Sequence, residues 1–66
     1  MKNRIREIRK QLGLRQEDLA RAVGVSRQTI IAIETNKYDP TLALAMRLAK
    51  RLGLSVETLF SMEENV

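Results

Sequence analysis

Cysteine, histidine and tryptophan are missing from this 66-residue chain, which has one proline, one tyrosine, one phenylalanine and three glycines. Without cysteine there is neither a disulfide nor a thiolate metal site. Without histidine the chain lacks the commonest metal ligand and the usual general base. A chain this short buries only about 60% of its unfolded surface, which leaves little capacity for a catalytic cavity. An enzyme is therefore not expected, and no cofactor or metal is called for. No apolar run approaches the ~20 residues of a membrane span, so a soluble, cytoplasmic protein without a membrane partner is expected. Scarce glycine and proline leave few loops, and no repeat or low-complexity segment interrupts the chain. One domain over residues 1–66 follows.

Positive charge is the first thing present in excess, and it is unevenly placed. The net charge is +4. Residues 1–37 hold nine Lys/Arg against four Asp/Glu, whereas residues 38–66 hold three against four. The basic half suits a phosphate-binding surface, although a solubilising face has the same composition.

The apolar spacing predicts five helices. The first covers about residues 3–12, with Ile5, Ile8 and Leu12 inside, and ends at Gly13. The second runs from about Gln16 to Val23, with Glu17 and Asp18 in the first turn, where the helix dipole favours negative charge. Gly24 allows a sharp turn. Ser26 caps the third helix, which reaches about Thr35. Residues 36–40 form a loop. Thr41 caps a fourth helix over about 42–52, with Leu42, Ala45, Leu48, Ala49 and Leu52 inside and Leu44 and Met46 off that stripe. Ser55 caps a short fifth helix from Val56 to about Phe60. Within this order, residues 16–35 read as a helix-turn-helix, a unit that sets its second helix in the DNA major groove.

The run Gln16-Glu17-Asp18-Leu19-Ala20, then Gly24-Val25-Ser26-Arg27-Gln28-Thr29-Ile30, Ala32-Ile33-Glu34, Asn36-Lys37-Tyr38 and Pro40 resembles the Xre/Cro/lambda-repressor-type helix-turn-helix regulators. Residues 49–60 fit the same pattern, so the resemblance covers about residues 4–60. It is greatest to the small stand-alone members of the cytolysin-repressor kind. The resemblance implies an all-α, compact five-helix, lambda-repressor-like domain that binds double-stranded operator DNA as a homodimer. Two positions depart from the pattern. Arg15 stands where a Ser or Thr cap is usual, and Ile31 where a polar residue is usual.

Arg27 and Gln28 open the recognition helix, where docked helix-turn-helix proteins meet base edges. Arg matches guanine O6 and N7, and Gln matches adenine N6 and N7. Both are candidate base readers, as is Thr29, which reaches a base or a phosphate. The resemblance adds Ala32, whose methyl would meet a thymine methyl. Ile31 either packs partly against the first or fourth helix or meets DNA or another chain. Ser26 is a cap first and a phosphate contact second. Gln16 begins a helix, where an anion is favoured, and the resemblance puts its side chain on a phosphate. Asn36, Lys37 and Tyr38 would flank the backbone, setting register without reading sequence. A cation at a helix start is unfavourable by ~0.3–1 kcal/mol. Arg15 is therefore either a phosphate ligand or a solvated side chain beside Glu17 and Asp18. The resemblance further implies that Arg9 and Glu34 form a partly buried salt bridge tying the first helix to the end of the third.

A single helix reads too few base pairs to find one operator, and dimers double the site. Leu54, Leu59, Phe60 and Met62 near the C-terminus, within about residues 54–63, are the candidate dimer interface. Residues 59–63 alternatively continue as a short strand, with Lys2 and Asn3 as partner in a two-stranded sheet of the chain ends. The functional expectation is a sequence-specific transcriptional regulator, more specifically a repressor of a palindromic operator, with no small-molecule effector evident. Two other classes fit: an antitoxin-type interaction protein that binds its own operator, and an architectural protein without sequence preference.

Overall fold

The computed structural model describes residues 1–61. In chain order these form β1 (Lys2–Asn3), α1 (Ile5–Gln11), α2 (Gln16–Val23), α3 (Arg27–Glu34), α4 (Leu42–Leu52), α5 (Val56–Leu59) and β2 (Phe60–Ser61). The two strands pair antiparallel within one chain, Lys2 opposite Ser61 and Asn3 opposite Phe60. α3 packs on α2, and α4 packs against α1, α2 and α5. The core joins Ile5 and Ile8 of α1, Leu19, Ala20 and Val23 of α2, and Ile30 and Ile33 of α3 to the buried face of α4. Leu48, near the middle of α4, is fully buried.

Helix starts are set by side chains that accept orphan N–H groups. The Oγ of Ser26 accepts from Thr29 N–H at 3.2 Å. Thr41 and Ser55 do the same for Leu44 and Thr58 at 3.2 and 3.1 Å. Asn3 Oδ1 accepts from Ile5 N–H at 3.1 Å, which delays α1 past the expected residue 3. α2 solves its missing cap in reverse. Asp18 Oδ2 accepts the backbone N–H of Arg15 at 2.9 Å, and the Asp18 carboxylate also receives Arg15 Nε and Nη2, each at 3.1 Å. These contacts with Arg15, first through its side chain and then its backbone, hold the Asp18 carboxyl below its ordinary value.

The exits of α1 to α4 share one device. A residue with positive φ follows each helix: Gly13, Gly24, Asn36 and Gly53. The next N–H then bonds the carbonyl five residues back: Leu14 to Arg9, Val25 to Ala20, Lys37 to Ala32 and Leu54 to Ala49, at 2.9–3.0 Å. Leu14, Val25 and Leu54 lay their side chains against the core, the contact that commonly accompanies such an exit.

Three burial expectations are corrected. Leu12 is 51% and Leu42 is 71% exposed, while Leu44 is buried at 4%. On α4 the buried arc therefore runs through Leu44, Leu48 and Leu52, not Leu42. The fifth helix stops at Leu59 because Phe60 is extended and joins β2.

One buried polar network ties the helices together. Arg9 Nε donates to Glu34 Oε2 at 2.8 Å and Nη2 to Glu34 Oε1 at 3.2 Å. Arg9 Nη1 donates to the carbonyl of Leu14 at 3.0 Å. Gln16 Nε2 also donates to Glu34 Oε1, at 3.2 Å. The Arg9 and Glu34 side chains are 8% and 3% exposed, so this is a buried pair. It links α1, the α1–α2 turn, the start of α2 and the end of α3.

Removing one member of a buried pair costs ~3–5 kcal/mol, because the other charge is stranded. Arg9→Ala is expected to lower the melting temperature by more than about 10 °C, since 1 kcal/mol moves Tm by ~4–8 °C at this size. The double variant Arg9→Met/Glu34→Leu should recover most of that loss. Thermal denaturation of both variants checks the assignment, and an unchanged melting point for Arg9→Ala would refute it.

A second prediction concerns acid. The folded carboxyl of Asp18 lies below its ordinary 3.8. Its contribution is therefore complete above that value and is lost as pH falls through the depressed one. An NMR titration of the Asp18 carboxyl should give a midpoint below 3.8. In Arg15→Ala the midpoint should rise toward the ordinary value without reaching it, because the backbone N–H contact survives.

Candidate nucleic-acid interface

α3 buries Ile30 and Ile33 and half-buries Ile31 and Ala32. Positions 27, 28, 31, 32 and 35 repeat at helical spacing along the side away from that core. Arg27, Gln28 and Thr35 on it are exposed. The helix start offers Arg27 and Gln28 in its first turn, directly after the Ser26 cap. Ser26 Oγ and Thr29 Oγ1 lie 3.0 Å apart and bond each other. Both hydroxyls are therefore engaged in holding the start of the recognition helix.

An open groove of about 590 Å³ runs beside α3. It is bounded by Arg6 and Lys10 of α1, Arg15, Gln16 and Glu17 at the start of α2, and Arg27, Glu34 and Thr35 of α3, with Arg9 beneath. Arg6, Lys10, Arg15 and Arg27 are exposed there. Arg15 shares its charge with Asp18. Arg6, Lys10 and Arg27 have no acidic partner among the described residues. The sum is a concave, cationic surface at the start of a helix, the arrangement that attracts an anion. Gln16 adds an amide whose orientation is set by Glu34, and one of its two N–H groups is left over from that bond.

The structure thus brings together three expected residues, Arg15, Gln16 and Arg27. It leaves Gln28, Ala32, Asn36, Lys37 and Tyr38 outside the groove. Gln28 and Ala32 lie on the outward side of α3. Asn36 takes a left-handed backbone at φ 62° and accepts a hydrogen bond from Asn3 at 3.4 Å. Lys37 and Tyr38 follow it, both exposed. Sequence reasoning missed Arg6, Lys10 and Thr35. Arg6 and Lys10 are one helical turn apart on the outer face of α1, a spacing that was legible but had no anchor to α3 until the fold supplied it.

The expected dimer residues separate. Leu59 is fully buried and Phe60 is 7% exposed, both within the core of a single chain. Leu54 is half-buried against that core. Met62 lies outside the described residues. A groove of about 370 Å³ opens beside Phe60, bounded also by Met1, Pro40, Leu42, Ala45 and Val56. Among the described residues no helix is long and apolar enough to cross a membrane, and no group of acidic residues is arranged to hold a metal ion.

Residues 5–59 match the helix-turn-helix family model HTH_3. An uncharacterized HTH-type transcriptional regulator of Methanocaldococcus jannaschii is 52% identical over 65 residues, which is 98% of each chain. One of Bacillus subtilis is 44% identical over 64 residues, 97% of each chain. Two solved structures are similar. The restriction-modification controller protein C.AhdI from Aeromonas hydrophila superimposes with a TM-score of 0.79 at 33% identity over 86% of each chain. The P22 c2 repressor, in complex with a synthetic operator, superimposes with a TM-score of 0.80 at 37% identity over 82% of each chain. With its five lambda-repressor-like helices and a family match over most of its length, the chain belongs to the Xre-type helix-turn-helix family of DNA-binding transcriptional regulators.

Proposed function

We propose that this regulator is a repressor that binds a palindromic operator as a homodimer. The observation that carries the reading is the cationic groove beside α3, together with the outward face of that helix. In this reading α3 enters the major groove. Arg27 and Gln28 meet base edges, with Thr29 and Ala32 behind them. Arg6, Lys10, Arg15 and Gln16 grip the phosphates of one strand, while Asn36, Lys37 and Tyr38 flank the other. Ser26 holds the start of the helix and offers a secondary phosphate contact. The P22 c2 repressor, whose structure is similar, is bound to an operator, which supports the repressor reading.

The homodimer reading rests on the apolar groove beside Phe60. Leu42 is 71% and Met1 is 40% exposed at its edge. Exposed apolar side chains grouped around a concavity mark an association surface. Two chains joined there by a two-fold axis would present a pair of α3 helices. Half-sites one DNA turn apart need those helices ~34–36 Å from each other.

In vitro selection from random duplexes tests the reading. The expected product is a two-fold symmetric site with half-site centres ~10–10.5 base pairs apart. Failure to enrich any sequence would favour an architectural protein instead. Arg27→Ala should relax preference at one base pair of each half-site by ~1–3 kcal/mol. Arg6→Gln and Lys10→Gln should weaken all sequences alike and reduce the salt slope by ~1 each. The interface has its own test. Leu42→Glu should convert dimer to monomer in sedimentation with the helical signal intact, and a persistent dimer would move the interface elsewhere.

A further inference from the structure

Lys2 aside, the side-chain cations of the described residues fall into three sets. Arg4, Arg9, Arg15 and Arg21 each have an acidic partner. Arg6, Lys10, Arg27 and Lys37 have none and belong to the surface assigned to DNA above. The third set is Arg47, Lys50 and Arg51 on α4, which also have none among the described residues.

These three lie at i, i+3 and i+4, so one face of α4 carries all of them. All are exposed. With Ala22, near the end of α2, they bound a second groove of about 450 Å³. It shares no residue with the groove beside α3. Ala22 is separated from Gln16, at the other end of α2, by about 9 Å of helix rise. The dipole of α4 accounts for a cation in its last turn, where Lys50 and Arg51 sit. It does not account for Arg47, which also lines the groove.

We infer that the α2–α4 groove is a docking site for an acidic segment of a partner protein. Charge complementarity selects an anionic occupant, because three cations without an acidic partner among the described residues, within little more than one helical turn, repel one another until one arrives. The neighbouring surface selects a peptide over a second DNA duplex. Met46, one turn before Lys50 on the same exposed side, is 56% exposed. A phosphodiester backbone, charged at every residue, offers little apolar surface to cover Met46 or Ala22. A segment that alternates carboxylate and apolar side chains covers both and pairs with the cations. Such docking leaves the α3 face open, so the partner and DNA would be held together by one chain.

The test uses a fluorescent peptide, Glu-Leu-Glu-Glu-Leu-Glu, and anisotropy. Arg47→Gln/Lys50→Gln/Arg51→Gln removes three positive charges from α4. Arg6→Gln/Lys10→Gln/Arg27→Gln removes three from the α1–α3 groove and serves as the charge-matched control. All six side chains are exposed, so both variants should keep the parent melting temperature. The α4 variant should lose affinity for the peptide by about tenfold, and the control should lose little. Equal loss in both would reduce the effect to net charge and overturn the proposal, as would no loss in either. Sedimentation with short random duplexes distinguishes the remaining source. A second duplex that binds the parent and is lost in the α4 variant would assign the groove to nucleic acid and overturn the peptide.

Discussion

The position of the recognition helix depends on a buried ion pair. Taking two charges out of water costs several kcal/mol per ion even after relaxation, and their attraction offsets this only when the remaining polar atoms are also bonded. Arg9 and Glu34 meet that condition. Three nitrogens of Arg9 donate, both oxygens of Glu34 accept, and Gln16 takes a further share of Oε1. No buried side-chain nitrogen or oxygen among the described residues lacks a partner. The four partners come from different parts of the chain: Arg9 from α1, the Leu14 carbonyl from the α1–α2 turn, Gln16 from the start of α2 and Glu34 from the end of α3. Apolar contacts between α2 and α3 tolerate small slides, because hydrophobic packing fixes volume more than direction. Hydrogen bonds at 2.8–3.2 Å do not tolerate them. The network therefore fixes the angle at which α3 leaves the body, which apolar packing alone leaves loose.

A second constraint acts at the helix exits. Four of them use a left-handed residue and a bond to the carbonyl five residues back. In three, the residue that makes this bond is Leu or Val and seals the core. At the end of α3 it is Lys37, and the left-handed residue is Asn36, not Gly. Asn tolerates that backbone region through its short polar side chain. Here that side chain also accepts from Asn3, whose amide in turn donates to the carbonyl of Ile33 at 2.9 Å. The β1 strand thus closes the end of α3 from outside. The same backbone geometry delivers an apolar seal where the chain returns to the core and a cation where it stays at the surface.

Caps and stops were the legible part of the fold. α2 and α4 fall on the expected residues because Gly24 and Gly53 end them and Thr41 starts α4. What one-dimensional spacing misjudged is which flank of a helix meets a neighbour. Leu42 and Leu44 differ by two positions on α4, and only the placement of its neighbours decides that Leu44 is covered. Phe60 reads as helix by periodicity, yet pairing with Asn3 draws it into a strand. That sheet of the chain ends is the alternative the sequence offered for residues 59–63, with Lys2 and Asn3 as the partner strand. In the candidate site, Arg27 and Gln16 were legible from their place at helix starts. Arg6 and Lys10 were not, since nothing in the order of residues says that α1 lies beside α3.

Charge shows the same limit on a larger scale. Residues 38–66 sum to a slight negative, which suggests that half carries no basic function. The average hides a segregation. All of its cations, Arg47, Lys50 and Arg51, stand on α4, and its acids are Asp39, Glu57, Glu63 and Glu64. Asp39 is held by the N-terminal ammonium at 3.2 Å, and Glu57 borders the apolar groove on the other flank of α4. A field is set by the distances between charges, not by their sum along the chain. At a Debye length of ~8 Å, an acid on the far flank of a helix screens a cation poorly compared with one a turn away. Among the described residues, Arg47, Lys50 and Arg51 therefore stand as a cationic cluster on α4 although their half of the chain sums to a slight negative. The described residues thus carry two cationic clusters that share no lining residue, one beside the recognition helix and one on α4.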